Sequence, residues 1–260
     1  MNDIQFIPGA IDAGGCVSNA WNLLKQNYGL YLGVAVVAML LTACIPCVNV
    51  FILGPIMGGV FYVALRDMRG EPVDFGMMFK GFEKFVPLMI VGLIQSIPGI
   101  ISQGAQYGVR FANIGLGSKD GDFQFFQSSG RDLAFSGGMI ALIVVISLAF
   151  MIFAFVWWAV FFFAVPLILE HDLSPGAAIK LSASAAMSNF GGLLVLMLFQ
   201  ILISLLGMLM LCLGIFLFSI PLILLVNAFA YRQVFPWVEQ NFNMSPPPPN
   251  AYGSNFGSGM

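Results

Sequence analysis

The chain has 260 residues and a formal net charge of -2; 59% of the residues are hydrophobic and 8% are charged. Soluble domains contain roughly 25% charged residues, so this composition excludes an ordinary soluble protein. Nucleic-acid binding requires a basic field, which the small negative charge excludes. The four cysteines are too few for a disulfide scaffold.

Long uncharged stretches predict the membrane spans. No charged residue occurs in residues 26–65, 85–109, 133–169 or 181–231. A transmembrane helix needs about 20 apolar residues to cross the hydrocarbon core. The stretches therefore hold four to seven spans, and we predict six, at about 30–47, 51–66, 87–105, 137–168, 191–211 and 214–231. No Lys or Arg precedes Lys25, so the basic start of a secretory signal is missing and we expect the first span to be retained.

An amphipathic helix is predicted before each pair of spans. The first begins at Asp12, after a tail of residues 1–11. The second begins after Asp74 and the third after Ser174, both good N-cap residues. Lys180, Ser182 and Ser184 are predicted to lie beside the third apolar face. The apolar residues recur at the spacing of one helical face, namely Val17, Trp21, Leu24 and Tyr28; Phe75, Met78, Phe82 and Phe85; and Ile179, Ala183, Ala186 and Phe190.

The membrane domain, residues 12–235, is predicted to consist of three repeated units at about 12–70, 71–170 and 171–235. "QNYGLYLGV" in the first unit matches "SNFGGLLVL" in the third, and Pro55 and Pro221 each precede an Arg by 11 residues. Residues 236–260 are rich in Pro, Gly and Ser and are predicted to be a disordered tail. The predicted fold is thus all-α: a polytopic membrane protein with six transmembrane helices in three parallel repeat units, each preceded by a cytoplasmic amphipathic helix.

Charge asymmetry predicts the orientation in the membrane. With six spans, the side that holds both termini carries seven Lys and Arg residues and the other side carries three. The positive-inside rule then places both termini and the three amphipathic helices in the cytoplasm. We therefore expect a multi-pass protein of the bacterial inner membrane, with the loop 106–135 in the periplasm.

Two segments carry a resemblance to a known family. "ILGPIMGGVFYVALRDMRGEPVDFGMMFKGFEKF" and "PLILEHDLSPGAAIKLSASAAMSNFGGLL" resemble segments of a broad group of bacterial six-span membrane proteins of unknown function. That group is similar to the membrane domain attached to some glycerophosphodiester phosphodiesterases. The resemblance covers about residues 17–235 and implies a membrane location and a six-helix fold. It implies no reaction, because nothing in the chain resembles the phosphodiesterase catalytic domain.

The only histidine, His171, lies between Glu170 and Asp172. A metal site would need converging side chains and further ligands, but consecutive residues on a helix point apart and no second histidine exists. We interpret the cluster as the hydrated end of a span. No metal or other cofactor is expected.

Cys44 and Cys47 form a C-x-x-C pair at the turn of the first hairpin. On the periplasmic side a disulfide can persist, so one hypothesis is a bond that pins this turn. The alternatives are two packed thiols, since free cysteine is commonly buried, and redox chemistry, which normally accompanies a βαβ context.

The predicted spans contain polar side chains and no ionisable ones. Gln95, Gln200 and Asn227 are candidates to line a path, although hydrogen bonds between helices are the more common use of such residues. Gly54-x-x-x-Gly58 would allow close helix approach or dimerisation.

Together these features predict a non-catalytic integral membrane protein that organises partners or lipids at the cytoplasmic face. Its partners would be membrane lipids and a membrane protein or a second copy of the chain. The alternative is a facilitative transporter or channel for a small apolar or lipid-like molecule. An enzyme is not expected.

Overall fold

The computed structural model describes residues 4–44, 49–115, 137–210 and 214–237, and these residues form helices and turns without a strand. The expectation of an all-α protein is therefore confirmed for this part of the chain. The α-helices are α1 (Ala13–Gln26), α2 (Tyr28–Cys44), α3 (Asn49–Asp67), α4 (Phe85–Gly115), α5 (Gly137–Phe161), α6 (Ala164–His171), α7 (Pro175–Ser188), α8 (Phe190–Leu209) and α9 (Ile220–Val234). A 3₁₀ helix, Phe75–Lys84, precedes α4, and a π-helical segment, Ile215–Ser219, leads into α9.

Four helical segments of the described chain are long and apolar enough to cross a membrane. They are Phe75–Ile101, Val144–His171, Phe190–Leu209 and Ile215–Val234. A fifth is obtained only if α1 and α2 count as one span, although their axes bend by 101°. Side chains on α5 and α8, such as Ile152 at 61% and Leu206 at 58%, remain exposed as lipid-facing side chains would. The chain thus has the helices expected of a membrane protein.

Two asparagines separate a short helix from the long apolar helix that follows it. Asn27 ends α1 with φ -122° and ψ 38°, and Asn189 ends α7 with φ -117° and ψ 21°. In both, the backbone N–H of the asparagine donates to a carbonyl four residues earlier, on Leu23 and Ala185. The matching sequence segments thus adopt the same backbone break at the same residue.

The buried faces of α1 and α7 differ from the predicted apolar stripes. The predicted Trp21 on α1 and Tyr28 at the start of α2 stay about two-fifths exposed, at 39% and 41%, and the predicted Phe190 at the start of α8 stays 38% exposed. Small side chains let a helix lie close to its neighbours, and α1 packs against α9 and α8 in this way. Two predicted stripe residues, Leu24 and Ala186, are buried, and most of the other buried residues are small. The buried residues are Ala13, Cys16, Ala20 and Leu24 on α1 and Ala178, Ser182, Ala185 and Ala186 on α7.

The 3₁₀ helix takes the place of the second amphipathic helix. Asp74 caps it as predicted, because its carboxylate accepts from the backbone N–H of Met77 at 3.2 Å. Ser174 occupies the N-cap position of α7 but makes no side-chain capping bond. Met78 is fully buried, whereas Phe75 at the start of the stripe is 39% exposed.

Glycines bring α3 against the 3₁₀ helix and α4. A Cβ atom on Gly54 would collide with the carbonyl of Leu88 on α4, and one on Gly59 would collide with the carbonyl of Met78. Gly81, in the 3₁₀ helix, lies equally close to α3. The glycine face of α3 is therefore used for packing inside the chain.

The long apolar segment Val144–His171 is interrupted between α5 and α6. The backbone N–H of Phe163 donates to Ser182 Oγ at 3.1 Å, and the Ser182 hydroxyl donates to the carbonyl of Val160 at 2.6 Å. Ser182 is fully buried. The residue predicted to lie beside the apolar face of α7 thus satisfies the backbone groups that the break leaves free.

The residues predicted as an N-terminal tail are docked where they are described. The N–H of Ile7 donates to the carbonyl of Val234 at the end of α9, 2.9 Å away. The N–H of Ala10 donates to Asn189 Oδ1 at 2.9 Å, and the Asn189 amide donates to the carbonyl of Ile7. Residues 4–11 therefore join the end of α9 to the α7–α8 junction.

Three sequence predictions fall partly outside the described residues. Cys47 lies there, as do residues 116–135 of the predicted periplasmic loop and residues 238–260 of the predicted tail. The Cys44–Cys47 disulfide consequently stays a prediction.

Candidate functional site

Glu170 lies where the last turns of α3, α6 and α9 meet. Arg69, which follows α3, donates to Glu170 Oε1 at 2.8 Å, and Arg232 of α9 donates to the same oxygen at 3.0 Å. The Tyr231 hydroxyl donates to Oε2 at 2.7 Å. Only 16% of the Glu170 side chain is exposed. These four residues, the Glu170 hub, tie together elements that are far apart in the sequence.

The hub corrects the interpretation of Glu170-His171-Asp172 as a hydrated span end. That interpretation is wrong for Glu170, which is largely buried and paired, but it describes Asp172, whose side chain is 81% exposed. His171 Nε2 is 4.0 Å from Glu170 Oε2. Within the described ranges, no group of three His, Cys, Asp or Glu residues could hold a metal ion.

Lys84 and Asp172 close the end of α6. Asp172 adopts a left-handed conformation with φ 52°, which ends the helix. Lys84 Nζ lies 2.5 Å from Asp172 Oδ1 and donates to the carbonyls of Ile168 and Leu169. A cation at a helix C-terminus stabilises the free carbonyl groups there. The 3₁₀ helix is thus held against α6 by its last residue.

The charges around the hub do not cancel. Arg66 and Arg69 both contact Glu71, at 2.6 and 3.8 Å, and Arg69 also reaches Glu170. Three arginines, including Arg232, therefore share two glutamates. Trp237 covers the guanidinium groups of Arg232 and Arg69, with ring-centroid distances of 4.3 and 5.6 Å.

Aromatic side chains fill the bundle directly behind the hub. The rings of Tyr231 and Phe235 stack at 5.2 Å, and Phe163 packs edge-on against Phe235 at 5.7 Å. All three are at most 2% exposed. This layer separates the hub from the interior of the apolar helices.

A second carboxylate, Asp67, lies at the end of α3 and has no basic partner among the residues that the structure describes. It accepts from the Asn27 amide at 2.9 Å and from the Tyr31 hydroxyl at 2.6 Å. No Lys, Arg or His of the described chain comes within 4.0 Å of it in an ion pair. Asp67 lines a cavity of about 360 Å³, the boundary cavity, together with Asn19, Asn22, Leu23, Gln26, Met68, Phe229, Arg232, Gln233 and Trp237.

The three predicted path-lining residues lie near one another. Gln200 Nε2 donates to Asn227 Oδ1 at 2.7 Å, which joins α8 to α9. Asn227 and Gln95 line one cavity of about 180 Å³, which α3, α4 and α5 also border. Gln200 lines a neighbouring groove of about 550 Å³ between α5, α8 and α9, and Trp158 borders both spaces.

The residues missed by sequence reasoning are those whose partners lie far along the chain. Ser182 carries no sequence sign of its role, because serine is common on exposed helix faces. Asp67 and Arg232 were recognisable only as charged residues that follow an apolar run. The signal that could have related these positions is the predicted repeat, in which Asp67 and Gln233 match as the residues after Arg66 and Arg232.

Comparisons with known proteins identify no relative. No protein-family model, no curated protein and no solved structure matches this chain.

Proposed function

We propose that the chain is a non-catalytic, multi-pass protein of the bacterial inner membrane that organises lipids or protein partners at the cytoplasmic face. It would cross the membrane six times in three parallel units, with both termini in the cytoplasm. The three short helices, α1, the 3₁₀ helix and α7, would lie in the headgroup layer and form the working surface. A resemblance to bacterial six-span membrane proteins is compatible with this location.

The observation that carries the proposal is the two-sided exposure of the three short helices. One side of each packs into the bundle, and the other keeps apolar side chains and one lysine exposed. A helix with this distribution can rest at the boundary between headgroups and acyl chains. The exposed groups are Trp21 with Lys25 on α1, Phe79 with Lys80 in the 3₁₀ helix, and Met187 with Lys180 on α7.

The Glu170 hub supports a rigid arrangement of the working surface formed by α1, the 3₁₀ helix and α7, which we call the platform. Ion pairs join α3, α6 and α9 at the end where the short helices lie. Small shifts of one unit would break bonds to the other two. The three short helices are therefore held at defined positions relative to one another, as a surface that recognises partners or lipids requires.

Two repeated features relate the first of the proposed parallel units to the third. Asn27 and Asn189 break the chain with nearly the same dihedral angles, and both precede long apolar helices. Pro55 and Pro221 lie the same distance before Arg66 and Arg232. A parallel arrangement would bring the exit ends of all units to one side, which agrees with the meeting of Arg69, Glu170 and Arg232.

A facilitative transporter is the second candidate, and the Gln200–Asn227 pair favours it. Two apolar spaces with a polar residue at the boundary between them could pass a lipid-like molecule. The aromatic layer of Phe163, Tyr231 and Phe235 argues against a path to the cytoplasmic side, because these side chains fill the bundle there.

Lipid immobilisation tests the platform. The variant Trp21→Ser, Phe79→Ser, Met187→Ser removes one exposed apolar group from each short helix, and Val86→Ser, Ile152→Ser, Leu206→Ser removes three from the long helices. With the full chain in vesicles, electron spin resonance of headgroup-labelled lipid should show less immobilised lipid for the first variant than for the second. Equal losses in both variants would contradict the platform. Protein-dependent escape of a lipid-like fluorescent alcohol from loaded vesicles would instead establish the transporter.

A further inference from the structure

We infer that the boundary cavity binds a zwitterionic group that carries a phosphate and a primary ammonium, the chemistry of a phosphoethanolamine headgroup. The inference rests on the proposed lipid-organising function and names the ligand class for one of its surfaces. It follows from the charges on the cavity wall, the neutral amides that also line it and the position of the cavity at the ends of α1, α3 and α9.

The negative side of the cavity is Asp67. Its two oxygens accept from neutral donors only, the Asn27 amide and the Tyr31 hydroxyl. The arginines nearest in sequence are engaged elsewhere, Arg66 with Glu71 and Arg69 with Glu71 and Glu170. A carboxylate with spare acceptor capacity and no cation beside it attracts a positively charged donor.

The positive side of the cavity is Arg232. Its guanidinium belongs to the group of three arginines that share only Glu71 and Glu170, so the group carries one surplus positive charge. The Arg232 side chain is nine-tenths buried, and its Nε atom has no hydrogen-bond partner within the described residues. A buried unsatisfied donor is costly, and an anionic group in the cavity would reduce the cost electrostatically.

Neutral amides line the same cavity as the two charged groups. Asn19, Asn22 and Gln26 project from one side of α1 at spacings of 3 and 4 residues and line the cavity. Such side chains donate and accept hydrogen bonds without adding net charge. They suit the ester and phosphate oxygens of a headgroup, whereas a metal ion would require more carboxylates than the single Asp67.

The charge pattern discriminates between headgroup classes. An anionic headgroup would pair with Arg232 and be repelled by Asp67. A choline headgroup carries the same charges as ethanolamine but has no N–H to donate to the Asp67 carboxylate. A primary ammonium satisfies both the charge and the acceptor of Asp67, so we expect preference for ethanolamine over choline and glycerol headgroups.

The location of the cavity fits a headgroup that reaches it from the membrane. Asp67 and Arg232 lie at the ends of the apolar helices α3 and α9, and Trp21 and Tyr28 are exposed along the neighbouring helices α1 and α2. Tryptophan and tyrosine prefer the headgroup level of a bilayer. A soluble phosphoethanolamine compound would present the same charges, and the experiment below separates the two sources.

The test is native mass spectrometry of the full chain released from nanodiscs that contain equal amounts of phosphatidylethanolamine, phosphatidylcholine and phosphatidylglycerol. We expect phosphatidylethanolamine to be retained about tenfold more than either competitor, the ratio that one charge-assisted contact supplies. Asp67→Asn, and Asn22→Trp, which adds bulk to the cavity wall and keeps Asp67 in place, should both abolish the preference. Glu83→Gln removes an exposed carboxylate elsewhere and should leave the preference unchanged.

Competing outcomes are distinguishable. Displacement of the retained lipid by soluble glycerophosphoethanolamine at similar concentration would support the same site with a soluble ligand, and resistance to it would support a lipid. No headgroup preference in the wild type, or a preference that both cavity variants keep while their thermal unfolding matches the wild type, would overturn the inference. If the wild type shows no headgroup preference but the spin-label experiment gives the expected difference between its two variants, the headgroup inference fails and the proposed platform stands.

Discussion

Tyr231 on α9 donates its hydroxyl hydrogen to Glu170 at the end of α6, over 2.7 Å and 61 positions of sequence. The same carboxylate binds Arg232 and Arg69, so one side chain joins the ends of α3, α6 and α9. Glu170 lies in the last turn of the apolar helix α6, and its partners offset the desolvation cost of its partial burial. The stability of the membrane domain should therefore depend on this residue more than on its charged neighbours.

Replacing Glu170 should destabilise the protein far more than replacing His171. Glu170→Ala leaves Arg69, Arg232 and Tyr231 without their shared acceptor, and breaking a partly buried ion pair costs about 3 kcal/mol. His171 lies 4.0 Å from Glu170, at the limit of an ion pair, so His171→Ala should change stability little. Thermal unfolding in detergent measures both. A larger loss for His171→Ala would show that the histidine has a role of its own.

Ser182→Ala should destabilise the break between α5 and α6. The substitution removes the hydroxyl that serves both Phe163 N–H and the carbonyl of Val160. Leaving buried backbone groups unsatisfied costs about 1–3 kcal/mol. Ser188→Ala is the matched control, because the Ser188 hydroxyl is exposed and bonds only within its own helix. Equal unfolding temperatures for the two variants would contradict the role given to Ser182.

A methyl group at Gly59 should separate α3 from the 3₁₀ helix. The added Cβ of Gly59→Ala would collide with the carbonyl of Met78, and backbone must move to relieve it. Overpacking of this kind costs about 1–3 kcal/mol. Gly99→Ala, on α4, meets nothing within 4 Å and should be neutral. The comparison is made by unfolding in detergent, and a harmless Gly59→Ala would mean that the two helices are not tightly packed.

The orientation is tested with cysteines introduced at Ser118 and Ser254, in the predicted periplasmic loop and the C-terminal tail. The other native cysteines are first replaced by serine, and Cys16 remains as an internal control. Burial, with a smaller contribution from Asp12, raises the pKa of the Cys16 thiol to about 12, so it should not react. A membrane-impermeant maleimide applied to intact cells should label the cysteine at 118 and miss the one at 254. The reverse pattern would place the three short helices outside the cytoplasm.

The C-x-x-C pair is tested by counting thiols. If Cys44 and Cys47 form a disulfide, alkylation of the denatured protein before and after reduction should differ by two thiols. The difference should vanish in Cys44→Ser. Equal alkylation of the wild type under both conditions would favour two packed thiols.

The positions of the long helices were predictable because they follow from local composition. The uncharged runs correspond to α2 and α3, α4, α5 with α6, and α8 with α9, and membrane length and composition single out four helical segments there, or five. Asp74 was predictable for the same reason, since a cap bonds to its own first turn. Local rules suffice where the partner is nearby in sequence.

Other features depend on which helices become neighbours, and periodicity carries no such information. Arg69 and Glu170 are 101 positions apart, and the sequence around either residue does not indicate that they pair. The predicted stripe on α1 favoured large side chains such as Trp21, whereas close packing on α9 buries Ala20 and exposes Trp21. On a short helix that packs closely against another helix, the small side chains are therefore buried and the large apolar ones can stay exposed.

The docking of residues 4–11 has a consequence for biosynthesis. Ile7 and Asp12 bond to Val234 and Gln233, which a ribosome adds more than two hundred codons later. During translation these early residues therefore lack their hydrogen-bond partners until the intervening helices have been synthesised. The contacts between the N-terminal segment and the end of α9 thus form only after α9 has been synthesised. Any cellular factor that protects the nascent N-terminal segment would act before that point.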